Sequence, residues 1–283
     1  MAKTKKKISS ALNIVLVAIG LILIGISLFY KDSTNTLVDE AGNEIVQADS
    51  KNINAANDGK LIILSDTISA ASTLKDEFFG ISKATFKLKR VVETYQWKEI
   101  CETSCTYEKI WFEGIIDSSD YDENHKNPST QQYTSEEYME KNLQIGAYVL
   151  SDKLINDLEY DTDMGPDEMT GLYAGGYTLS GEYITNVVDA ENPKIGDFRI
   201  SYKYAKDKKV TVVAKQVGNS FGPFYTSKKQ EIYSIESGEK TAEEYISGLE
   251  AQKSPLNFIL AIVGVFFACF GISANIFGKL KKK

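Results

Sequence analysis

Few side chains in this sequence are typed and spaced for chemistry. Gly218-Asn219-Ser220-Phe221-Gly222 matches the G-x-S-x-G string of a nucleophile elbow. An elbow needs a strand before the serine and a helix after it, whereas strand-like residues lie on both sides here and Pro223 follows at once. The only available base is His125, the sole histidine, in a different block. The string therefore reads as a hairpin turn, and no catalytic residue is expected.

Asp161-Thr162-Asp163, followed by Gly165 and Asp167-Glu168, places carboxylates at alternate positions, as a hard cation would want. The calcium-loop register fails, because Gly165 takes the third ligand position, Pro166 stands where the glycine belongs and Leu172 where the closing glutamate belongs. Asp117, Asp120, Asp122 and Glu123 read as a solvated loop. Cys101 and Cys105 flank Glu102-Thr103-Ser104 at an expected hairpin turn after Trp97. They are a possible disulfide, which the sequence leaves open; zinc is disfavoured, because a single histidine could assist the pair. No metal and no cofactor is expected.

The elements that carry these residues follow from periodicity. Thr85–Trp97 sets Phe86, Leu88, Arg90 and Val92 on one face, and Phe198–Tyr204 sets Phe198, Ile200, Tyr202 and Tyr204 on one face. Both predict strands. Val210–Val217 and Glu231–Ile235 are also β-rich, and turn residues Asp207-Lys208 and Gly218-Asn219 predict an antiparallel meander. Helices are predicted at Ser135–Asn142 and at Thr241–Lys253, the latter opening with capping-box spacing. Tyr95 and Trp97 share a strand face and are expected to pack in the core against Trp111 or Phe112.

Two apolar stretches bracket this region, Ile8–Tyr30 and Leu256–Phe277, each with a lysine cluster on its outer side. Both are long enough for helices spanning a bilayer core of ~30 Å. The expected class is a membrane protein whose two transmembrane α-helices flank an α+β, β-rich, mainly antiparallel extracytoplasmic domain. Its expected segments are a basic tail at 1–7, a transmembrane helix at 8–30 and a stalk at 31–60 with at most one hairpin near Ala41-Gly42-Asn43. The domain follows at 61–254, with a second transmembrane helix at 255–277 and a basic tail at 278–283. Gly264 and Ala268 give the second helix a small-residue packing face. The lysine tails put both termini in the cytoplasm.

The two tails hold eight lysines and no acid, so a chain net charge of −7 leaves −15 for residues 8–278. Such a surface repels phosphate backbones, which excludes nucleic-acid binding. The 16 tyrosines and 13 phenylalanines supply too much apolar surface for a disordered chain.

Three strings carry a resemblance. They are Arg90-Val91-Val92-Glu93-Thr94-Tyr95-Gln96-Trp97, then His125-Lys126-Asn127-Pro128, then Asn192-Pro193-Lys194 with Gly196-Asp197-Phe198-Arg199-Ile200-Ser201-Tyr202. Their order and spacing resemble the LUMA family, transmembrane protein 43, from the first apolar stretch onward. The resemblance implies an anchored protein with a large domain outside the cytoplasm that self-associates and acts as a scaffold. It implies the endoplasmic reticulum and inner nuclear membrane for a eukaryotic source. A two-span chain reads as a short, microbial member, for which the plasma membrane is the expected site.

Arg90, Glu93, Tyr95, Gln96 and Trp97 are read as a structural motif. His125, Lys126, Asn127 and Pro128 form an exposed polar turn and are the candidates for partner contact. The expected function is a non-enzymatic membrane scaffold that binds itself and other membrane or extracytoplasmic proteins. The alternative is an envelope sensor of ligand or metal, or a hydrolase, relaying through the Thr241 helix into the second span.

Overall fold

Alternate burial along two long strands organises one of the two seven-stranded sheets. The structure, a computed structural model, describes residues 2–29, 33–170, 177–251 and 256–280. In chain order the first strands are β1 (Val46–Gln47), β2 (Leu61–Ile68), β3 (Thr73–Asp76), β4 (Ile81–Ala84), β5 (Lys87–Cys101) and β6 (Cys105–Glu113). Next come β7 (Glu136–Met139), β8 (Gln144–Ile145), β9 (Tyr148–Val149), β10 (Thr162–Asp163), β11 (Thr178–Ser180) and β12 (Tyr183–Thr185). The last are β13 (Phe198–Tyr204), β14 (Lys208–Val217), β15 (Ser220–Gly222), β16 (Phe224–Tyr225), β17 (Glu231–Ile232) and β18 (Ser234–Ser237). The helices are α1 (Ala2–Phe29), α2 (Ser33–Glu44), α3 (Asp152–Asp157), α4 (Ala242–Glu250) and α5 (Leu256–Leu280).

Two compact units result. One takes its described residues from Met1–Ile45, Tyr225–Glu231 and Ala242–Lys283, the other from Val46–Phe224 and Ile232–Thr241. The second is built on two sheets. One has the order β1-β2-β14-β15-β9-β8, with β18 also on β14; the other has β11-β12-β13-β5-β6, with β10 on β13 and β7 on β5. Each sheet has its own apolar cluster. Ile62, Leu64, Val210, Val212, Ile145 and Tyr148 fill the first, and Phe79, Leu88, Val92, Ile200 and Tyr202 the second.

The strand predictions at Phe198–Tyr204 and Val210–Val217 match β13 and β14. They are not neighbours in a meander, however. β13 pairs with β5 while β14 pairs with β2, because the chain leaves one sheet at Tyr204 and enters the other at Lys208. Buried Ala205, whose N–H donates to the Lys87 carbonyl at 3.0 Å, holds that crossing. The predicted helix at Ser135–Asn142 is corrected to strand β7, in register with Lys87–Arg90. Its capping-type residues are captured from the side: Ser135 Oγ accepts from the Val92 N–H at 3.0 Å, and Glu136 pairs with Arg90 at 2.8 Å. Tertiary pairing outweighs local helix signals here.

In the other unit, Ala41-Gly42-Asn43 lies within helix α2, not in a hairpin. A Cβ placed at Gly42 would touch Ile246 of α4 at 3.8 Å. α1 and α5 pack closely through small residues. A Cβ at Gly20 would fall 2.5 Å from the Gly264 carbonyl oxygen and 2.6 Å from the Ala268 nitrogen, so the two backbones meet where only glycine fits. Gly264 and Ala268 thus face a helix of their own chain.

The expected fold class is corrected in one respect. Among the described residues no helix is long and apolar enough to cross a membrane. The β-rich, mainly antiparallel domain stands. The Pro255 junction, Leu172 and the terminal Lys281, Lys282 and Lys283 lie outside the described residues.

Candidate functional site

Strand β5 buries its even-numbered side chains, Leu88, Arg90, Val92, Thr94 and Gln96, and leaves Lys89, Val91, Glu93, Tyr95 and Trp97 half-buried on the opposite face. Strand β13 likewise turns its odd-numbered residues to that face, Arg199 and Ser201 half-buried and Lys203 exposed. The antiparallel register sets Glu93 beside Arg199, Val91 beside Ser201 and Lys89 beside Lys203. Small residues therefore occupy the middle row and long charged ones the rows on either side, which leaves a trough. The resulting cleft holds about 760 Å³ and is closed by Tyr160, Asp163, Glu182 and Tyr183.

Ion pairs fix its long side chains. Arg199 Nε donates to Glu93 at 2.7 Å, Lys89 lies 3.2 Å from Glu113, and Lys203 lies 3.4 Å from Asp163. The Arg199 guanidinium also sits over the rings of Trp111 at 4.7 Å and Tyr183 at 4.4 Å. Burial opposes ionisation of Glu113, but hydrogen bonds from Ser135 and Lys89 outweigh it and hold the carboxyl below its ordinary range.

The motif residues converge at one end of this face. Tyr95 meets Trp111 with ring centroids 5.1 Å apart. Its N–H donates to the Asp197 carbonyl at 2.8 Å and its carbonyl accepts from the Gly196 N–H at 3.0 Å. Asn127 acts on Trp97 like one residue of a partner strand, accepting from the Trp97 N–H at 2.7 Å and donating to its carbonyl at 2.8 Å. His125 stacks on Tyr107 at 3.9 Å and meets the edge of Trp97 at 4.6 Å. Its Nδ1 lies 2.7 Å from Asp122, whose carboxyl is held low by that hydrogen bond. Lys126 Nζ donates to the carbonyls of Ser118 and Ser119, and Pro128 lies against Gly196. The hydrogen bond to Glu99 pushes the Tyr107 phenol up to about 12, so it stays a donor.

Two expectations change here. Tyr95 and Trp97 are half-buried on the outer face; the core side of the strand carries Gln96, fully buried. Gln96 Nε2 donates to the Gly114 carbonyl at 2.8 Å and Oε1 accepts from the Ile116 N–H at 2.9 Å, anchoring the exit of β6. His125, Lys126, Asn127 and Pro128 are likewise half-buried, not an exposed turn: Asn127 and His125 hold Trp97, Lys126 reaches the Ser118 and Ser119 carbonyls and Pro128 lies against Gly196. Arg90 is on the other side of the sheet, paired with Asp76 and Glu136.

The remaining chemical strings have local roles. Ser220 Oγ donates to the Val149 carbonyl at 2.8 Å in the β14–β15 hairpin, whose Gly218 has φ +58°. Cys101 and Cys105 are joined in a disulfide across the β5–β6 hairpin. Among the described residues, the close group of ligand-type side chains is Glu99 with these two sulfurs, both taken by the bridge. Lys89, Glu113, Tyr160, Asp163, Glu182, Tyr183 and Lys203 were missed as site residues. The signal for Lys89 and Lys203 is the outward phase of β5 and β13, where charged residues recur at every fourth position, Lys89 with Glu93 and Arg199 with Lys203.

Asp161 and Glu168 share the depressed state of Glu113: burial opposes ionisation of Asp161 but its bond to Lys208 prevails, and Lys83 holds Glu168 low. A carboxyl with a lowered folded pKa stabilises the fold above its unfolded value, about 4, and loses that contribution as pH falls through the folded value. We expect the urea midpoint to be flat from pH 8 to 6 and to fall steeply below about pH 4. A midpoint unchanged down to pH 3 at constant ionic strength would contradict these assignments.

Comparison with known proteins bears out the family resemblance. The family model described as Transmembrane protein 43 matches residues 88–278. Transmembrane protein 43 of Homo sapiens and that of Pongo abelii are each 27% identical over 237 residues, 75% of this chain and 59% of theirs. The Transmembrane protein 43 homolog of Drosophila melanogaster is 27% identical over 243 residues, 77% of this chain and 62% of its own. The chain thus spans about three fifths of the length of these relatives. No solved structure matches. With the matched segment covering both long strands of the cleft and the whole hub, the chain belongs to the Transmembrane protein 43 family.

Proposed function

We propose that this chain is a non-enzymatic, membrane-associated scaffold that binds partner proteins, and further copies of itself, through its β-rich unit. One observation carries the reading: the outer face of the β5–β13 sheet presents a charged trough beside aromatic side chains, held by ion pairs and clamps on a rigid sheet. Interfaces favour aromatics and arginine on rigid support. On edge strand β6 the half-buried Trp111 stands across from Tyr95 on this same face. Membrane association follows the name of the relatives. The bridge between Cys101 and Cys105 supports an oxidising, extracytoplasmic location for this unit. Because Gly264 and Ala268 already face Gly20 of the same chain, self-association is assigned to the sheet face.

The test is site-specific photo-crosslinking in native membranes, with a photoreactive phenylalanine analogue at Tyr95, on the outer face, and at Val188 as a control. The expected result is an adduct at Tyr95 with a second polypeptide, either another copy or a foreign protein, and none at Val188. Equal or absent adducts at both positions would overturn the reading.

A further inference from the structure

We propose that the trough on the outer face of the β5–β13 sheet is a docking groove for an extended peptide segment carrying lysine or arginine; this rests on the scaffold reading above. The charge balance points to the occupant. The cleft is lined by three cations, Lys89, Arg199 and Lys203, and each already has a carboxylate partner in Glu113, Glu93 and Asp163. Two lining carboxylates, Glu159 and Glu182, are exposed and make no salt bridge among the described residues. A neutralised floor with two spare negative charges on its rim attracts cations and repels acidic segments.

Shape and polar groups fit a main chain. Val91 and Ser201 form a narrow floor between rows of longer side chains, and about 760 Å³ is room for several residues, not for a folded domain. Tyr160 Oη is screened from solvent, and burial and the Glu137 carboxylate push its phenol well above the ordinary range, so at neutral pH it adds no charge to the cleft wall. Tyr183, beneath the Arg199 guanidinium, shows that aromatic rings on this face already receive a planar cation.

The experiment uses the full chain in detergent micelles and two labelled hexapeptides, (Lys-Ala)3 and (Glu-Ala)3, followed by fluorescence anisotropy. We expect (Lys-Ala)3 to bind, with affinity falling as salt rises, and (Glu-Ala)3 not to bind. Glu159→Gln with Glu182→Gln should weaken the lysine peptide about tenfold, each exposed charge being worth a few-fold. Ser201→Trp, which fills the floor from the solvent side, should abolish binding, with an unchanged circular dichroism spectrum verifying the fold. Equal affinity for both peptides, or binding indifferent to Glu159→Gln/Glu182→Gln, would overturn the groove. Failure of the lysine peptide with Tyr95 adducts retained would remove the groove alone. Loss of both would remove the scaffold reading with it.

Discussion

Asp76→Ala is expected to cost about 3–5 kcal/mol of unfolding free energy, the range for breaking a buried ion pair from one side. Asp76 is 1% exposed and Arg90 5%. The carboxylate accepts from Arg90 Nη1, from Tyr202 Oη at 2.8 Å and from the N–H groups of Phe78 at 3.1 Å and Phe79 at 3.4 Å. It thereby ties the segment after β3 to β5 and β13. Its removal leaves Arg90 leaning on Glu136, whose side chain is 54% exposed, and leaves the Tyr202 hydroxyl without its acceptor. Burial, reinforced by Asp76, pushes the Tyr202 phenol far up, so the hydroxyl cannot escape the loss by ionising.

Urea unfolding of Asp76→Ala, Arg90→Met and the combination Asp76→Leu/Arg90→Met/Tyr202→Phe separates two accounts. If the cost arises from a stranded charge, both single variants lose several kcal/mol and the triple variant recovers much of it, since it leaves no buried charge and no buried hydroxyl stranded, although the Phe78 and Phe79 N–H groups still lose their acceptor. A loss under about 1 kcal/mol for Asp76→Ala would mean that water reaches Arg90 and that the cluster is not a buried pair.

What the sequence made legible follows the same chemistry. β5 and β13 were readable because apolar residues recur at period two over a long run, and Arg90 in the core phase already announced a buried cation needing a partner. That partner, Asp76, is remote in the chain and sits in a short strand with no clear pattern, so the pairing was invisible. Ser135–Asn142 was misread because its helix-start residues do their bonding across the sheet, to Val92 and Arg90. Tyr95 and Trp97 were misassigned by size: large aromatics suggest a core, but the phase shared with Leu88 and Val92 gives the inner side to Gln96. The trough depended on which outward residues stand side by side, a matter of register that one strand alone does not encode.

Gly146→Ala provides the second large effect, and its cause is backbone proximity. Gly146 and Ala147 form the turn between β8 and β9, and Gly146 has φ +58°. A Cβ there would lie 2.1 Å from the Ser50 carbonyl oxygen and 2.7 Å from its carbon, atoms that cannot swing aside as a side chain could. The same oxygen accepts from the Ala147 N–H at 2.7 Å, and Ser50 Oγ donates to Asp66 at 2.6 Å, so displacing Ser50 also disturbs β2. Ile145 and Tyr148, both fully buried, flank the turn and would move with it. The left-handed backbone alone costs an alanine about 1–2 kcal/mol. The lost hydrogen bond and disturbed packing should bring the total to about 3 kcal/mol or more. Gly59→Ala isolates the difference, because Gly59 has φ +80° but nothing within 4 Å of its added Cβ. It should lose only the conformational part, about 1–2 kcal/mol. Equal losses at the two glycines in urea unfolding would show that Ser50 yields freely, and the close approach of the two backbones would then have no part in holding this hairpin to its sheet.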